Sequence, residues 1–198
     1  NLRLDPGQTL LISGPSGSGK STLLRALAGI WPHSKGQIEL DQKARILFLP
    51  QKPYLPLGSL KAALYYPLPI AETDDELHAE LIQCKLDHLI PLLEETDNWS
   101  LKLSPGEQQR IAFLRLFMVK PDMAFLDEAS SALDEALEAR LYDRIKLALP
   151  HLILVSVGHR STLTAWHQQR LDLDGQGGWS LRLGPNEKNK SHIGISHA

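Results

Sequence analysis

Short runs of consecutive apolar residues alternate with stretches whose apolar positions recur at helical spacing. Four runs read as buried strands: TLLIS (Thr9–Ser13), RILFLP (Arg45–Pro50), MAFLD (Met123–Asp127) and LILVSV (Leu152–Val157). A strand apolar at successive positions needs cover on both faces, as at the centre of a parallel sheet. GQIEL (Gly36–Leu40) alternates and predicts a more exposed strand. Helices are predicted over Lys20–Ala28, Asp74–Leu93, Pro105–Met118 and Glu135–Leu147. The second opens on a capping box from Thr73 to Glu76 and carries Leu77, Leu81, Leu89 and Leu93 on one side. Its acidic ETDDE run suits a helix start, where the dipole favours negative charge. Strands alternating with helices predict an α/β architecture. From about Pro56 to Met118 no central strand is evident, which predicts a helical insertion. RLDLDGQGGWSLRL (Arg170–Leu183) alternates on both sides of a Gly-rich turn and predicts a hairpin. Residues 184–198 are polar and predict a loose tail.

Composition narrows the class. The chain has 198 residues, 42% hydrophobic and 22% charged, enough for one globular domain with room for a subdomain. A net charge of −2 and the lack of a basic stripe give no sign of a nucleic-acid partner. The lone Cys84 excludes an internal disulfide and reads as a small core residue. The eight histidines form no i, i+4 pair, so no zinc site is expected. No apolar run approaches the ~20 residues that span a bilayer. The chain opens on NLRLDPGQ, like the end of a strand and a turn, and reads as a piece cut from a longer protein.

GPSGSGKST (Gly14–Thr22) matches G-x-x-x-x-G-K-[ST] between a predicted strand and a predicted helix. Glycines at 17 and 19 let backbone N–H groups fold around a polyphosphate, and the helix start adds partial positive charge. Lys20 reaches outer phosphates as a point charge, and Ser21 offers a hydroxyl to Mg²⁺.

Two further stretches carry candidate chemistry. MAFLDE sets Asp127 at the end of an apolar strand with Glu128 beside it. Strand ends of a parallel sheet face the ligand crevice. There Asp127 can hold Mg²⁺ and Glu128 can accept a proton from an attacking water. LSPGEQQR (Leu103–Arg110) reads locally as a capped helix start, with Ser104 at the cap, Pro105 at the first position and Glu107 closing the box. The same stretch also fits half of an ATP site belonging to a second molecule.

Five signals therefore stand in a fixed order: the phosphate loop, Gln51 after a strand, LSPGEQQR, the Asp127–Glu128 pair, and His159 after a fourth strand. Together they resemble the nucleotide-binding domain of ATP-binding cassette (ABC) transporters, from about Leu10 to Leu183. The resemblance implies a P-loop NTPase fold: a RecA-like core over 1–55 and 119–183, a helical subdomain over 56–118, and a flexible tail over 184–198. It makes Gly14, Pro15, Ser16, Gly17, Ser18, Gly19, Lys20, Ser21 and Thr22 the Walker A loop. It makes Gln51 a residue that senses Mg²⁺ and the attacking water, and Ser104 to Gln108 the signature motif. Asp127 and Glu128 become the Walker B aspartate and catalytic glutamate, Ser131 to Asp134 the D-loop, and His159 the histidine that meets the γ-phosphate. The implied ligands are ATP and Mg²⁺, with Ser21, Gln51 and Asp127 toward the metal.

In that family two domains pack head to tail, and the signature helix of one points at the γ-phosphate held by the other. The helix-cap and ATP-site readings of LSPGEQQR are then compatible. Pro105 and Glu107 stand where the commonest pattern has Gly and Gln. Pro105 has no N–H, which leaves the Ser104 hydroxyl and the Gly106 N–H as donors. Glu107 brings negative charge unless it turns back to cap. L-S-x-G-E-Q-Q-R is familiar in the branch holding the peroxisomal fatty-acyl half-transporters and the bacterial SbmA/BacA-like and YddA-like proteins. PQKPYLPLGSLKAALYYP, SVGHR and AGIWPHSKGQI look like that branch too, with Trp31 expected to pack rather than to bind. The resemblance implies a homodimer, a transmembrane domain fused upstream, and a place on the cytoplasmic face of a membrane, a bacterial inner membrane in preference. The family's adenine-stacking aromatic is expected upstream, since none lies in the 13 residues before Gly14. Two alternatives stand beside this: a soluble ABC ATPase acting on nucleic acid or ribosomes, and a module that binds ATP without turning it over. Only 84 positions separate Lys20 from Ser104, too few for the long coiled coils of DNA-repair members.

Overall fold

The computed structural model describes residues 2–33, 36–70 and 74–183. Five parallel strands form the sheet: β1 (Thr9–Ser13), β2 (Ile46–Leu49), β5 (Met123–Asp127), β6 (Ile153–Val157) and β7 (Gln169–Leu173). The antiparallel β8 (Trp179–Leu183) completes the predicted hairpin, and the strand order is β2-β5-β6-β1-β7-β8. Alternation along each strand explains the continuous apolar runs. Leu10, Ile12, Phe125, Val155 and Val157 face α1 (Lys20–Leu27) and its Leu24. Leu11, Leu49, Ala124, Leu126 and Leu154 face a larger cluster on the opposite side. Both sets of positions in the central strands β1, β5 and β6 are covered, so both are apolar.

That larger cluster includes the helices α2 (Leu60–Tyr65), α3 (Asp75–Gln83), α5 (Pro105–Val119) and α6 (Glu135–Ala148). It runs without a break from the sheet into the insertion, through Phe113, Leu114 and Phe117 of α5 to Leu77 and Leu81 of α3. Two short strands, β3 (Gly58–Ser59) and β4 (Thr96–Asp97), close the base of the insertion. There Trp99, in the one-turn α4 (Trp99–Lys102), is 2% exposed and donates its indole N–H to the Gly58 carbonyl at 3.0 Å.

The structure departs from the sequence expectations at three places. The predicted helix over Asp74–Leu93 breaks after Gln83. Leu86 N–H bonds Leu81 O at 2.7 Å, Lys85 N–H bonds Ile82 O at 3.1 Å, and Lys85 takes φ 58°. This is a Schellman stop, usually signalled by glycine; here a lysine occupies the left-handed position. A 3₁₀ turn over Asp87–Leu92 follows, carrying Pro91, which a continued α-helix would not tolerate. The expected Thr73 half of the capping box lies outside the described residues, and Asp74 is the helix's N-cap. Gly36–Leu40 pairs with no strand among the described residues, and Ile38 is 44% exposed. Trp31 is 37% exposed rather than packed in the core, and its ring meets the His33 ring edge-on. The expected tail lies outside the described residues. Cys84 is fully buried, and burial pushes its thiol up to about 12.

Candidate active site

The parallel register brings the C-terminal ends of β2, β5, β6 and β1 to one edge, so the segments that follow them meet there. Gly14 to Gly19 link β1 to α1. Gly14 has φ 147°, and a Cβ on it would lie 2.5 Å from the Leu173 carbonyl, so only glycine fits against β7. Gly17 and Gly19 also hold positive φ, but a Cβ on either would meet nothing within 4 Å. At these two positions glycine is needed for the positive φ and not for close packing. The first turn of α1 has no side-chain cap and no acidic residue, which leaves the helix start suited to an anion. Lys20 is 6% exposed, and its ammonium donates to Gly14 O at 3.0 Å and Pro15 O at 2.8 Å. Pro15, Ser16 and Ser18 lie in the same loop, and Thr22 follows in the first turn of α1. The Ser18 hydroxyl is buried with no hydrogen-bond partner.

Next to the loop, Ser21 Oγ donates to Asp127 Oδ1 at 2.6 Å, and Arg25 Nη2 donates to Asp127 Oδ2 at 3.2 Å. Asp127 is 4% exposed, so this buried carboxylate has a hydroxyl on one oxygen and a guanidinium on the other. A hydroxyl and a carboxylate beside a glycine-rich turn are oxygen donors of the kind Mg²⁺ takes. Glu128 is bonded on both oxygens. Gln51 Nε2 donates to Oε2 at 3.2 Å, and His159 Nε2 lies 3.1 Å from Oε1. Glu128 adopts φ 52°, a costly setting for a non-glycine residue, held by its N–H bond to Val157 O at 3.0 Å.

The signature stretch forms the capped start of α5. Glu107 N–H donates to Ser104 Oγ at 3.3 Å, while Glu107 Oε2 accepts from the Ser104 hydroxyl at 2.6 Å and from its N–H at 2.8 Å. The third partner is His88, whose Nε2 lies 2.7 Å from Glu107 Oε1. Burial works to raise the Glu107 carboxyl, but these hydrogen bonds outweigh it and hold it below the usual carboxylate range. Gly106 lies against the next loop: a Cβ on it would stand 3.2 Å from the Ala132 carbonyl. Asp134 caps α6, accepting from Leu137 N–H at 2.8 Å. The structure thus joins Lys20, Ser21, Asp127, Glu128, Gln51 and His159 at one edge. Ser104, Gly106 and Asp134 sit in neighbouring turns and make their recorded contacts with other groups.

The family model described as "ABC transporter" matches residues 1–131. The chain belongs to the ABC transporter family. It has the α/β fold of that family's ATP-binding domain. It is 45% identical over 185 residues to an "Uncharacterized ABC transporter ATP-binding protein" of Haemophilus influenzae, covering 91% of this chain and 31% of that protein. It is 40% identical over 195 residues to "Lysosomal cobalamin transporter ABCD4" of Homo sapiens, covering 91% of this chain and 32% of that protein. The structure titled "Structure of a bacterial Atm1-family ABC exporter with ATP bound" matches with a TM-score of 0.75 at 27% identity, over 86% of this chain and 33% of that one. The chain thus spans about a third of the length of these proteins.

Several residues around this ABC site carried no warning in the sequence. Arg25 pairs with Asp127 only because α1 runs beside β5. His88 reaches Glu107 only because the Lys85 stop turns the chain back toward α5. Glu138, fully buried in α6, accepts from the Ser130 hydroxyl at 2.6 Å and the Thr162 hydroxyl at 3.0 Å. Arg160 Nη2 in turn donates to Ser131 O at 3.0 Å, tying the segment after β6 to the loop after β5.

Proposed function

We propose that this chain binds Mg-ATP on the Gly14–Thr22 loop and hydrolyses it, as the nucleotide-binding domain of an exporter-type ABC half-transporter. The observation that carries the reading is the convergence of Gln51 and His159 on Glu128, beside the Ser21–Asp127 pair at the phosphate loop. Ser21, Asp127 and the Gln51 side chain would hold Mg²⁺. The ion supplies charge neutralisation on the phosphates. Lys20 binds the outer phosphate oxygens, and the loop N–H groups hold the rest. Glu128 takes a proton from the water that attacks the γ-phosphorus as the bond to the β-bridging oxygen breaks. His159 and Gln51 fix the carboxylate for that transfer, and His159 donates toward the γ-phosphate.

Two copies pack head to tail, each offering Ser104 and Gly106 to the nucleotide on the other, with Asp134 of the D-loop at the seam. Residues 1–55 and 119–183 act as the RecA-like core and 56–118 as the helical subdomain that follows the signature helix. A membrane-spanning part of the same protein, on whose cytoplasmic side this domain sits, takes up the movement. Among the described residues no helix is long and apolar enough to cross a membrane.

The test uses a Glu128→Gln chain extended upstream to include the adenine-stacking aromatic. Its solution mass should double with Mg-ATP, and adding Ser104→Ala should abolish the doubling. A monomer throughout, despite ATP binding, would sink the head-to-tail arrangement. Phosphate release by the parent protein that Glu128→Gln does not diminish would sink the role of Glu128.

A further inference from the structure

Gln109, the seventh residue of LSPGEQQR, is 2% exposed and lies in the first turns of α5. Its side-chain amide joins three separate segments. Nε2 stands 3.1 Å from Gln51 O, 3.3 Å from Glu128 O and 3.0 Å from Ser131 Oγ. Oε1 accepts from Ala132 N–H at 2.8 Å. The two carbonyls can only accept and the Ala132 N–H can only donate, so the surroundings fix which end of the amide is nitrogen. One side chain therefore meets the segment after β2, the residue after Asp127, and the following loop.

The placement matters because of what those segments do. The Gln51 carbonyl belongs to the residue whose amide nitrogen bonds Glu128 Oε2. The Glu128 carbonyl belongs to the residue at φ 52°, and it also accepts from Ser131 N–H at 3.1 Å. Gln109 thus steadies both backbones that aim the Glu128 carboxylate. It sits two turns or less from Ser104 and Gly106, on the helix whose start faces the second nucleotide in the proposed function. An apolar side chain here would take one donor from each of two part-buried carbonyls and the acceptor from the Ala132 N–H, freeing both backbones while water can still reach the groups left behind.

We propose that Gln109 is a positioning residue for hydrolysis, linking the signature helix to the backbones of Gln51 and Glu128. Engagement of α5 by the partner's nucleotide is transmitted through this amide to the carboxylate on the same chain. The inference rests on the proposed ATPase reading.

The test is Gln109→Met in the full-length parent protein, since Met keeps the length and volume and removes the hydrogen bonds. A shift of reacting groups of about 1 Å can lower a rate by about 100-fold. The expected result is a kcat at least roughly tenfold lower, with ATP affinity and melting temperature close to the parent's, and with part of the loss recovered in Gln109→Asn. Added to Glu128→Gln, Gln109→Met should leave ATP-driven association intact. A kcat within twofold of the parent would overturn the proposal. So would a loss that follows melting temperature or ATP affinity, or a loss of association, because each puts the effect on folding or on the interface. Absence of phosphate release from the unaltered parent would instead overturn the ATPase reading itself, and the inference with it.

Discussion

His159 Nε2 and Gln51 Nε2 hold opposite oxygens of one carboxylate, at 3.1 Å and 3.2 Å from Glu128 Oε1 and Oε2. The two come from different strand ends, β6 and β2, so the Glu128 side chain is fixed by groups that share no local sequence. A general base contributes about 10²–10⁴-fold when it is so placed. Glu128→Gln is expected to lower phosphate release by that range with ATP still bound. His159→Ala should cost roughly 10–100-fold, because one oxygen loses its partner and the γ-phosphate a donor. Steady-state phosphate release alongside equilibrium ATP binding checks both. Parental turnover in His159→Ala would remove the ring from the mechanism.

Ser104 serves two ends that can be separated. Its hydroxyl caps α5 against Glu107, and in the proposed pair it meets a second nucleotide. Ser104→Ala loses the cap, worth about 1 kcal/mol, and should lower the melting temperature by about 2–4 °C for a chain of this size. Ser104→Asn keeps a capping acceptor and should melt near the parent. If the hydroxyl also meets ATP, Ser104→Asn should still lose ATP-driven association of the Glu128→Gln chain. Association that survives in Ser104→Asn would confine Ser104 to its own helix.

The sequence made some of this legible, for physical reasons. β1, β2, β5 and β6 could be placed because each is apolar at nearly every position. The turn between β1 and α1 and the start of α5 were legible because glycines and the Ser104–Glu107 box are local signals. Asp127 and Glu128 were legible as the polar end of an apolar strand. The break at Lys85 was not, because its left-handed turn is made by a residue with no preference for it. Gly36–Leu40 alternates as a strand should, yet a strand also needs a partner, which alternation cannot supply. Arg25, His88 and Gln109 were invisible because their partners lie 102, 19 and up to 58 positions away and only the folded register brings them together.

Lys20 is the next test of the cradle. Its ammonium is 6% exposed and sits between the Gly14 and Pro15 carbonyls, so it tightens the loop as well as supplying charge. Lys20→Met should weaken ATP binding by at least about tenfold, about 1.4 kcal/mol. Lys20→Arg should not restore it, since a planar guanidinium cannot fill the space of a compact ammonium between two carbonyls. Isothermal titration with Mg-ATP reads both. Full affinity in Lys20→Arg would mean that charge alone matters there.

His167 is expected to make stability sensitive to acid. It is 3% exposed; Nδ1–H donates to Leu163 O at 2.7 Å, Nε2 accepts from the Ser156 hydroxyl at 3.0 Å, and the Tyr142 ring meets it edge-on at 5.8 Å. Burial lowers the imidazole from 6.5 to about 4, against a smaller opposing effect of the Leu163 carbonyl. The unfolded chain therefore binds a proton that the folded chain refuses between those two values. Stability is complete above about pH 6.5 and falls as the pH drops toward 4, the direction expected when the unfolded state carries more protons. At pH 5 the loss from this one group is about 2 kcal/mol. Urea unfolding at pH 7.5 and pH 5.0 should show that loss, and His167→Gln should remove most of it. Keeping to pH 5 and above leaves aside Glu107 and Asp172, whose lowered carboxyls titrate below that window. An undiminished pH slope in His167→Gln would assign the acid sensitivity to another group.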